Sequence, residues 1–419
     1  MPKLILSILL FLSIPGVSFS QVYNIKLMSW NLLNYPDNSN FSSDTTLRNP
    51  YYRTVIQYEM PQIVVTQENA NATSANLFLN GVMNHPGIGG GNLFSAGTFI
   101  NGYDTDNAIY YHTAFYQFIS NTPIGTALRD INEFKLVHTS TGDTIRIYSL
   151  HLKAGNTPSD SLARIAEVNQ LRTVTNALPS GTDFIVCGDF NIYATGEGSY
   201  QKLVQDNSTD DGNFIDPLTL AGTWNNYNYR YYHTQSTRTR NFSNGATGGL
   251  DDRFDMILYS TAVSLTGGVR YIPFSTVAVG NDNNHYNDSI NQIPNTAVSQ
   301  TIADALHYAS DHLPVTALFS VTSITVVDDF FIENFNLQIS PNPSQGIISI
   351  IYFLNEPTHI NMALYDVSGK LIMPILNDDQ IIGKHEWVLP QTNKLITGVY
   401  FIRVLADNKS VVNKKIVIE

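Results

Sequence analysis

A chain of 419 residues with 43% hydrophobic content exceeds one ordinary domain and can bury a large core. Its formal charge of −12 excludes a protein that holds nucleic acid through a broad basic surface, although a few local phosphate contacts remain compatible with it. Its single cysteine, Cys187, excludes an intrachain disulfide and lies in a predicted buried strand.

The first 20 residues have the pattern of a secretory signal peptide. Lys3 precedes an apolar run from Leu4 to Ile14, and Ser18 and Ser20 form a small-x-small cleavage site. The run is too short to span a membrane, and no other segment of the sequence has enough continuous apolar residues to do so. We therefore predict a secreted or surface-held protein without a transmembrane segment.

Several apolar segments that follow have the pattern of β-strands, and each ends in a polar residue. Residues 25–31 end in Asn31, residues 63–68 end in Glu68, and residues 145–151 end in His151. A lone histidine is most often structural. Polar groups at the exits of several strands are harder to explain by packing, because burying them unpaired is unfavourable.

The most informative segment is the apolar run 184–187, which continues into Gly188-Asp189-Phe190-Asn191. In an extended segment, residues two apart face the same side, so Asp189 and Asn191 can converge on one ligand atom while Phe190 packs the other way. That geometry suits activation of a water molecule beside a phosphate. A strand that ends in Gly-Asp is equally typical of a simple turn, so this motif alone leaves both interpretations open.

Two later segments complete the set. Residues 253–258 carry Asp255, and residues 310–315 carry the adjacent pair Asp311 and His312. Asp255 could form a simple ion pair with Arg253. Taken together, however, the polar groups of these strands are expected to meet around a metal ion and one another.

In chain order the motifs are SWN, QE, HLKAG, GDFN, RFD and SDHLPV. Their order and spacing resemble the endonuclease/exonuclease/phosphatase superfamily over roughly residues 22–320, and the combination is far more specific than any single motif. Members include deoxyribonuclease I, abasic-site endonucleases, inositol polyphosphate phosphatases and bacterial sphingomyelinases. The resemblance implies an α/β fold, a four-layer sandwich of two packed mixed sheets flanked by helices, with the site at one edge.

The resemblance also implies a metal site. Glu68, assisted by Asn31 and Asp311, would hold a divalent cation. All-oxygen ligands suit Mg²⁺ or Mn²⁺, with Ca²⁺ as an alternative, rather than zinc.

Catalytic roles follow from the same resemblance. Asp189 would orient or deprotonate the attacking water, and Asn191 would fix the phosphate. His312, oriented by Asp255, would bind a phosphate oxygen or protonate the leaving group, and His151 would lie on the opposite side of the phosphate.

Arg129 resembles the arginine that some nuclease members place on phosphate, although a solvated arginine at a strand edge is the alternative. In deoxyribonuclease-like members a carboxylate also supports the first histidine. The candidates here are Asp104 and Asp106.

Four segments between the motifs have recognisable patterns. Residues 159–178, behind Pro158, predict a covering helix, and residues 84–102, rich in small residues, predict a surface loop. Residues 227–249 are basic and aromatic and could bind bases or phosphates, but a structured loop without a ligand role is favoured. Residues 280–288 alternate oxygen ligands as a Ca²⁺ loop would, and such loops are usually only solvated.

The C-terminal part has short strands and frequent turns, which favours a small all-β sandwich. Its segments SPNPSQG, LYDVSGKLI, LITGVYFIRV and KKIVI resemble the type A sorting domain of the bacterial type IX secretion system. That resemblance implies interaction with the type IX machinery and export across the outer membrane, followed by release or attachment at the cell surface. An ordinary accessory binding sandwich is the alternative.

We therefore predict a signal peptide over 1–20, a catalytic domain over 21–321, a linker over 322–336 and a sorting β-sandwich over 337–419. The predicted function is that of a secreted metal-dependent phosphodiesterase, first of all an extracellular endonuclease acting on DNA or RNA, and the protein is expected to be a monomer. A sphingomyelinase-like phospholipid phosphodiesterase and a catalytically silent surface binding protein on the same fold are the alternatives.

Overall fold

The computed structural model describes residues 22–36, 47–86, 91–206, 211–240, 245–264, 268–322, 337–354, 357–366, 370–389, 395–406 and 409–419. The predicted signal peptide lies outside the described residues, as does the predicted linker apart from Thr322. The chain divides into two compact units, which within the described part are residues 22–322 and 337–419.

The larger unit contains two mixed β-sheets. The first has seven strands, in the spatial order β11 (Val269–Tyr271), β13 (Val315–Thr322), β1 (Val22–Tyr35), β2 (Ile63–Asn69), β4 (Asp106–His112) and β3 (Phe94–Ala96), with β12 (Val277–Ala278) also on β13. The second has six strands, in the order β5 (Tyr116–Ile124), β6 (Ile131–His138), β7 (Thr144–His151), β8 (Phe184–Asp189), β10 (Asp255–Ser260) and β9 (Phe214–Ile215). The pairs β1–β2 and β7–β8 are parallel, whereas β1–β13 and β8–β10 are antiparallel.

Helices cover the outer faces of both sheets. They are α1 (Asn49–Glu59), α2 (Ala72–Phe78), α3 (Pro158–Asn176), α4 (Gly198–Val204) and α6 (Gln300–Ala309). The short helix α5 (Thr261–Ser264) instead packs Val263 into the core between the sheets. Hydrophobic residues of α1, α2 and α6 pack with the outer face of the first sheet, and those of α3 and α4 pack with the outer face of the second. The four-layer α/β sandwich predicted from the sequence is therefore confirmed.

A third cluster fills the space between the sheets. Ile25 and Leu27 of β1 meet Ile147, Ile185 and Ile257 of the second sheet there. The alternate residues of β1, Met28 and Trp30, face the helices instead. From Ile25 to Asn31, every second residue of β1 therefore points toward the second sheet, and a register shift before Tyr35 ends this alternation.

Two local predictions differ from the structure in detail. Helix α3 begins at Pro158 rather than after it, since the Thr157 side chain caps the helix through Asp160, and it ends at Asn176. The stretch predicted as a surface loop contains strand β3, where Phe94 is buried and its backbone is hydrogen-bonded in both directions to the side-chain amide of Asn84.

The smaller unit is all β. Its two antiparallel sheets are β14 (Gln338–Ser340), β15 (Ile348–Leu354) and β18 (Gly383–Leu389), and β17 (Leu371–Gln380), β16 (Thr358–Asp366), β19 (Gly398–Ala406) and β20 (Lys409–Ile418). Ile350 and Tyr352 of the first sheet share one core with Met362 and Ile402 of the second. The predicted small all-β sandwich is confirmed. Within the described residues, no helix has both the length and the apolar character needed to cross a membrane.

Candidate active site

Alternation along the strands determines which polar side chains reach the space between the sheets. On β1, Ile25 and Leu27 belong to the core between the sheets, and Asn31 lies on the same side because it is an even number of residues further on. The same alternation on β7, β8 and β10 brings three more side chains to this side: His151, Asp189 and Asp255.

Strand pairing then aligns the members of the second sheet. His151 is paired with Asp189 in the parallel β7–β8 register, and Asp189 is paired with Asp255 in the antiparallel β8–β10 register. Gly188 makes this close approach possible. Its φ is +140°, and a Cβ atom there would lie only 1.9 Å from the carbonyl oxygen of Leu150.

Asn31 joins the two sheets. Its Nδ2 donates to Glu68 Oε1 at 2.9 Å and to Asp189 Oδ2 at 3.2 Å, while its Oδ1 accepts from the backbone of Leu33. Glu68 Oε2 accepts a further bond from the backbone N–H of Asn34. One amide therefore fixes two buried carboxylates at the edge of the sandwich.

Four non-glycine residues with strained backbone conformations lie at the same edge. Leu33, Asn34, Glu68 and Asn191 all have left-handed φ angles, between 49° and 62°. Such conformations are unfavourable for residues other than glycine and persist only where the surroundings enforce them.

His312 is held from several directions. Its Nδ1 lies 2.8 Å from Asp255 Oδ2, its backbone N–H donates to Ser310 Oγ, and its carbonyl accepts from the indole of Trp30. Burial lowers the pKa of His312, but the negative charges of Asp255, Asp311 and Asp189 outweigh burial and raise it well above the usual value. Arg253 pairs with Asp216 instead, so the simple ion pair between Arg253 and Asp255 is not formed.

His151 faces the same carboxylates but has the opposite electrostatics. Its Nε2 is 3.5 Å from Asp189 Oδ2, and its buried Nδ1 has no hydrogen-bond partner among the described residues. Burial lowers its pKa well below the usual value, and Arg129 and His312 lower it further. His151 is therefore the neutral imidazole of the pair and His312 the charged one.

Asn191 reaches the cleft by a turn rather than along an extended strand. Strand β8 ends at Asp189, and the left-handed backbone of Asn191 bends the chain, so its N–H donates to Asp189 Oδ1 at 3.1 Å. Its side-chain amide donates to the carbonyl of Leu152. The prediction that Asp189 and Asn191 face the same side of an extended strand is therefore wrong, although both side chains do line one cleft.

Asp104 and Asp106 do not support His151. Asp104 pairs with Arg129 at 2.9 Å, and Asp106 accepts from the backbone of Gly102. The carboxylate nearest to His151 Nδ1 in an ion-pair contact is Glu68, at 3.8 Å. The prediction for Asp104 and Asp106 is wrong because Asp104 is paired with Arg129 and Asp106 accepts from the Gly102 backbone.

The sequence did not single out Gln235, Gly245 or Ala246, which lie in the segment 227–249 that was favoured as a loop without a ligand role. The amide of Gln235 lies 2.5 Å from His312 Nε2, and the Ala246 N–H donates to Asp311 Oδ2 at 2.6 Å. All three line the cleft. Only the glycine carried a local signal, and that signal indicates a turn rather than a site.

The cleft is open and has a volume of about 310 Å³. Glu68, His151, Asp189, Asn191, Asp311 and His312 all line it. Three predicted site residues do not line the cleft. Asn31 and Asp255 hydrogen-bond to side chains that do, Asp189 and His312, whereas Arg129 lies outside the lining.

Residues 28–312 match the sequence model of the Endonuclease/Exonuclease/phosphatase family. The chain belongs to this family. Residues 338–419 match the secretion system C-terminal sorting domain, which indicates export by type IX secretion to the cell surface or beyond. No curated protein gives a significant match.

Solved structures with a similar fold include other proteins of this family. A family protein from Bacteroides thetaiotaomicron has 16% identity and a TM-score of 0.45, with 72% of this chain and 97% of that chain covered. D. rerio TDP2 complexed with single strand DNA product has 16% identity and a TM-score of 0.47, with 71% and 98% covered. The human Nocturnin catalytic domain with bound sulfate anion has 17% identity and a TM-score of 0.43, with 72% and 97% covered.

Enzymes of this family generally depend on a divalent metal ion. In the described part of the chain, no group of three or more His, Cys, Asp or Glu side chains has the spacing of a metal centre. The oxygen atoms present nevertheless suit a hard cation. Burial and the charge of Asp311 raise the pKa of Glu68, and Asp311 Oδ1 is buried without a hydrogen-bond partner among the described residues. A bound cation would relieve both conditions, so Glu68 and Asp311 fit Mg²⁺ or Mn²⁺ directly, and Asn31 assists by holding Glu68 through its Nδ2.

Proposed function

We propose that this protein is a secreted, metal-dependent phosphodiesterase that cleaves nucleic acid as an extracellular endonuclease. The observation that carries the proposal is the convergence of a charged histidine, a neutral histidine and a buried aspartate on one open cleft. Hydrolysis of a phosphodiester needs a base for water, an acid for the leaving group and donors for the phosphate oxygens.

Asp189 is the proposed base. Burial raises its pKa to about 7, with Asp255 and Glu68 adding to the effect and His312 opposing it. A carboxylate with that pKa can take a proton from water at neutral pH as the water oxygen attacks phosphorus. Asn31 holds Asp189 Oδ2, and the backbone of Asn191 holds Oδ1.

His312 is the proposed acid. Its ring is fixed by Asp255, and its Nε2–H would donate to the leaving-group oxygen, so that the proton moves as the phosphorus–oxygen bond breaks. His151 would donate its single N–H to a phosphate oxygen, and Asn191 would bind another. Glu68 and Asp311, assisted by Asn31, would hold the divalent cation, whose charge stabilises the negative phosphate oxygens when it is bound.

Nucleic acid is the proposed substrate for two reasons. Export places the enzyme where environmental DNA and RNA are the abundant phosphodiesters, and Arg129 supplies a cation close enough to lower the pKa of His151. A phosphate group would have to replace the half-exposed Asp104 as the partner of Arg129. Arg129 Nε is buried without a hydrogen-bond partner in the described structure, which leaves it available for that exchange.

The test is hydrolysis of plasmid DNA, RNA, sphingomyelin and bis-p-nitrophenyl phosphate with Mg²⁺, Mn²⁺ or EDTA. Asp189→Asn and His312→Ala should each lower kcat on nucleic acid by about 100-fold or more. The matched control is Asp304→Asn on α6, because the hydrogen bonds that the described structure gives Asp304, from the side chains of Asn291 and Gln300, lie outside the cleft. Hydrolysis of sphingomyelin alone would identify the phospholipid alternative, and no hydrolysis of any substrate would favour the silent binding protein.

We also propose that the N-terminal 20 residues direct the chain into the periplasm and that residues 337–419 carry it across the outer membrane. The support is the sorting-domain match over 338–419. A fluorescent reporter fused to residues 337–419 behind the same signal should reach the medium or cell surface of a type IX-competent bacterium. Retention of that reporter in the periplasm would contradict the role given to this unit.

A further inference from the structure

Gln235 makes a contact that the proposed mechanism does not use. Its side-chain amide lies 2.5 Å from Nε2 of His312, the atom that would meet the substrate. Its backbone is fixed, because residue 235 forms β-bridges with both Asp252 and His312. The side chain is half-buried at the wall of an open cleft and can change its conformation while the backbone stays in place.

The contact is not needed to orient the histidine. Asp255 fixes the ring through Nδ1, Ser310 holds the backbone N–H and Trp30 holds the carbonyl. With the ring and its backbone already held at these three points, the Gln235 amide adds no orientation that the others lack.

The contact does occupy the substrate's place. An imidazole nitrogen forms one strong hydrogen bond, in the plane of the ring. The carboxylates nearest to His312 Nε2 are Asp189 at 3.7 Å and Asp311 at 4.0 Å, both beyond hydrogen-bond distance. The Gln235 amide is closer than either. A charged imidazole donates from both nitrogens, so the amide faces Nε2–H with its oxygen after the side-chain amide is flipped. A substrate oxygen that accepts from Nε2–H therefore has to displace the amide.

We propose that Gln235 is a latch on His312 that the phosphodiester substrate displaces. The inference rests on the proposed function for the identity of the displacing group. Because binding must break the latch contact before the new one forms, Gln235 weakens substrate binding and leaves the chemical step unaffected. Gln235 thus acts on substrate binding through His312 and takes no part in the chemical step.

The test uses the full chain with bis-p-nitrophenyl phosphate and Mg²⁺. Gln235→Ala should lower KM by about three- to tenfold with kcat within twofold of the parent, because the hydrogen bond from the ring Nε2–H to the Gln235 amide no longer competes. Gln235→Glu should raise KM, since a carboxylate holds the ring more tightly. Gln300→Ala is the matched control, because that glutamine binds Asn291 and Asp304 on the surface. A fall in kcat with KM unchanged, or no change in either, would overturn the latch.

Binding of inorganic phosphate, measured by calorimetry, separates this inference from the proposed function. If no phosphodiester is hydrolysed but Gln235→Ala still binds phosphate about three- to tenfold more tightly than the parent, the latch stands and the proposed function fails. If hydrolysis occurs and neither KM nor phosphate affinity responds to Gln235→Ala, the latch fails and the proposed function stands. Absence of phosphate binding in both proteins would overturn the latch as well.

Discussion

The two histidines of the cleft are equally buried in the sandwich but differ in charge because their neighbours differ. His312 has Asp255 at 2.8 Å from Nδ1, whereas the Nδ1 of His151 has no hydrogen-bond partner among the described residues. Burial alone removes charge from an imidazole, and only a close carboxylate restores it. The charges of Asp255, Asp311 and Asp189 therefore raise the pKa of His312, whereas burial together with Arg129 and His312 lowers that of His151.

The pH dependence of catalysis follows from Asp189. Burial raises its pKa to about 7, so the base is protonated and inactive below that pH. The value of kcat should rise about tenfold per pH unit up to about pH 7 and then level off, because the raised pKa of His312 keeps the acid protonated there. The measurement is kcat on bis-p-nitrophenyl phosphate from pH 5 to 9. A flat profile between pH 5 and 7 would show that Asp189 is not the base.

Asp252 provides a test of stability against pH. Burial, with a smaller effect from Asp251, raises its pKa from 3.8 to about 7. Since the folded pKa lies above the unfolded one, its favourable contribution is complete below about pH 4 and is lost as the pH rises through 7. Asp252→Asn should therefore raise Tm relative to the parent at pH 8 more than at pH 5. An equal gain in Tm at the two pH values would contradict this role of Asp252.

At the scale of elements, the alternation of strand residues explains most of the site. Residues two apart share a face, so strands that contribute Ile25, Ile147, Cys187 and Ile257 to the core between the sheets also carry polar residues to its edge. This part of the site was predictable from the sequence, because apolar runs that end in Asn, His or Asp are visible without a structure.

Gly188 tests the contact between β7 and β8. A Cβ atom there would lie 1.9 Å from the backbone oxygen of Leu150, which no side-chain movement can relieve. Gly188→Ala should lower the free energy of unfolding by about 3 kcal/mol or more and abolish activity, as Tm and kcat would report. Gly196→Ala is the control, since no atom lies within 4 Å of a Cβ at that position. Equal stability of the two variants would show that β7 and β8 tolerate separation.

For the whole molecule, the two compact units have separate hydrophobic cores. The three clusters of the larger unit include residues between 25 and 321, and the cluster of the smaller unit spans residues 337–418. A chain ending at residue 322 should therefore keep the kcat/KM of the full chain and its own cooperative thermal transition. Loss of folding or activity on truncation, measured by calorimetry and hydrolysis, would show that the catalytic unit depends on the sorting unit.

The sequence by itself determined the fold class, the β-sandwich at the C-terminus and the side chains that gather at the cleft. The C-terminal sandwich and helix α3 follow from local periodicity and turn residues, which a short segment can encode. The four-layer fold and the pairing of Asp255 with the last histidine were implied by the resemblance of the ordered motifs to a known family.

Tertiary structure alone decided the remaining features. The amide of Asn31 bonds to Asp189 across 158 residues of chain, and that of Gln235 contacts His312 across 77. Arg129 pairs with Asp104, and neither Asp104 nor Asp106 reaches His151. Contacts between residues so far apart depend on how the sheets stack and how the loops cross the cleft, and no local pattern in the chain encodes that geometry.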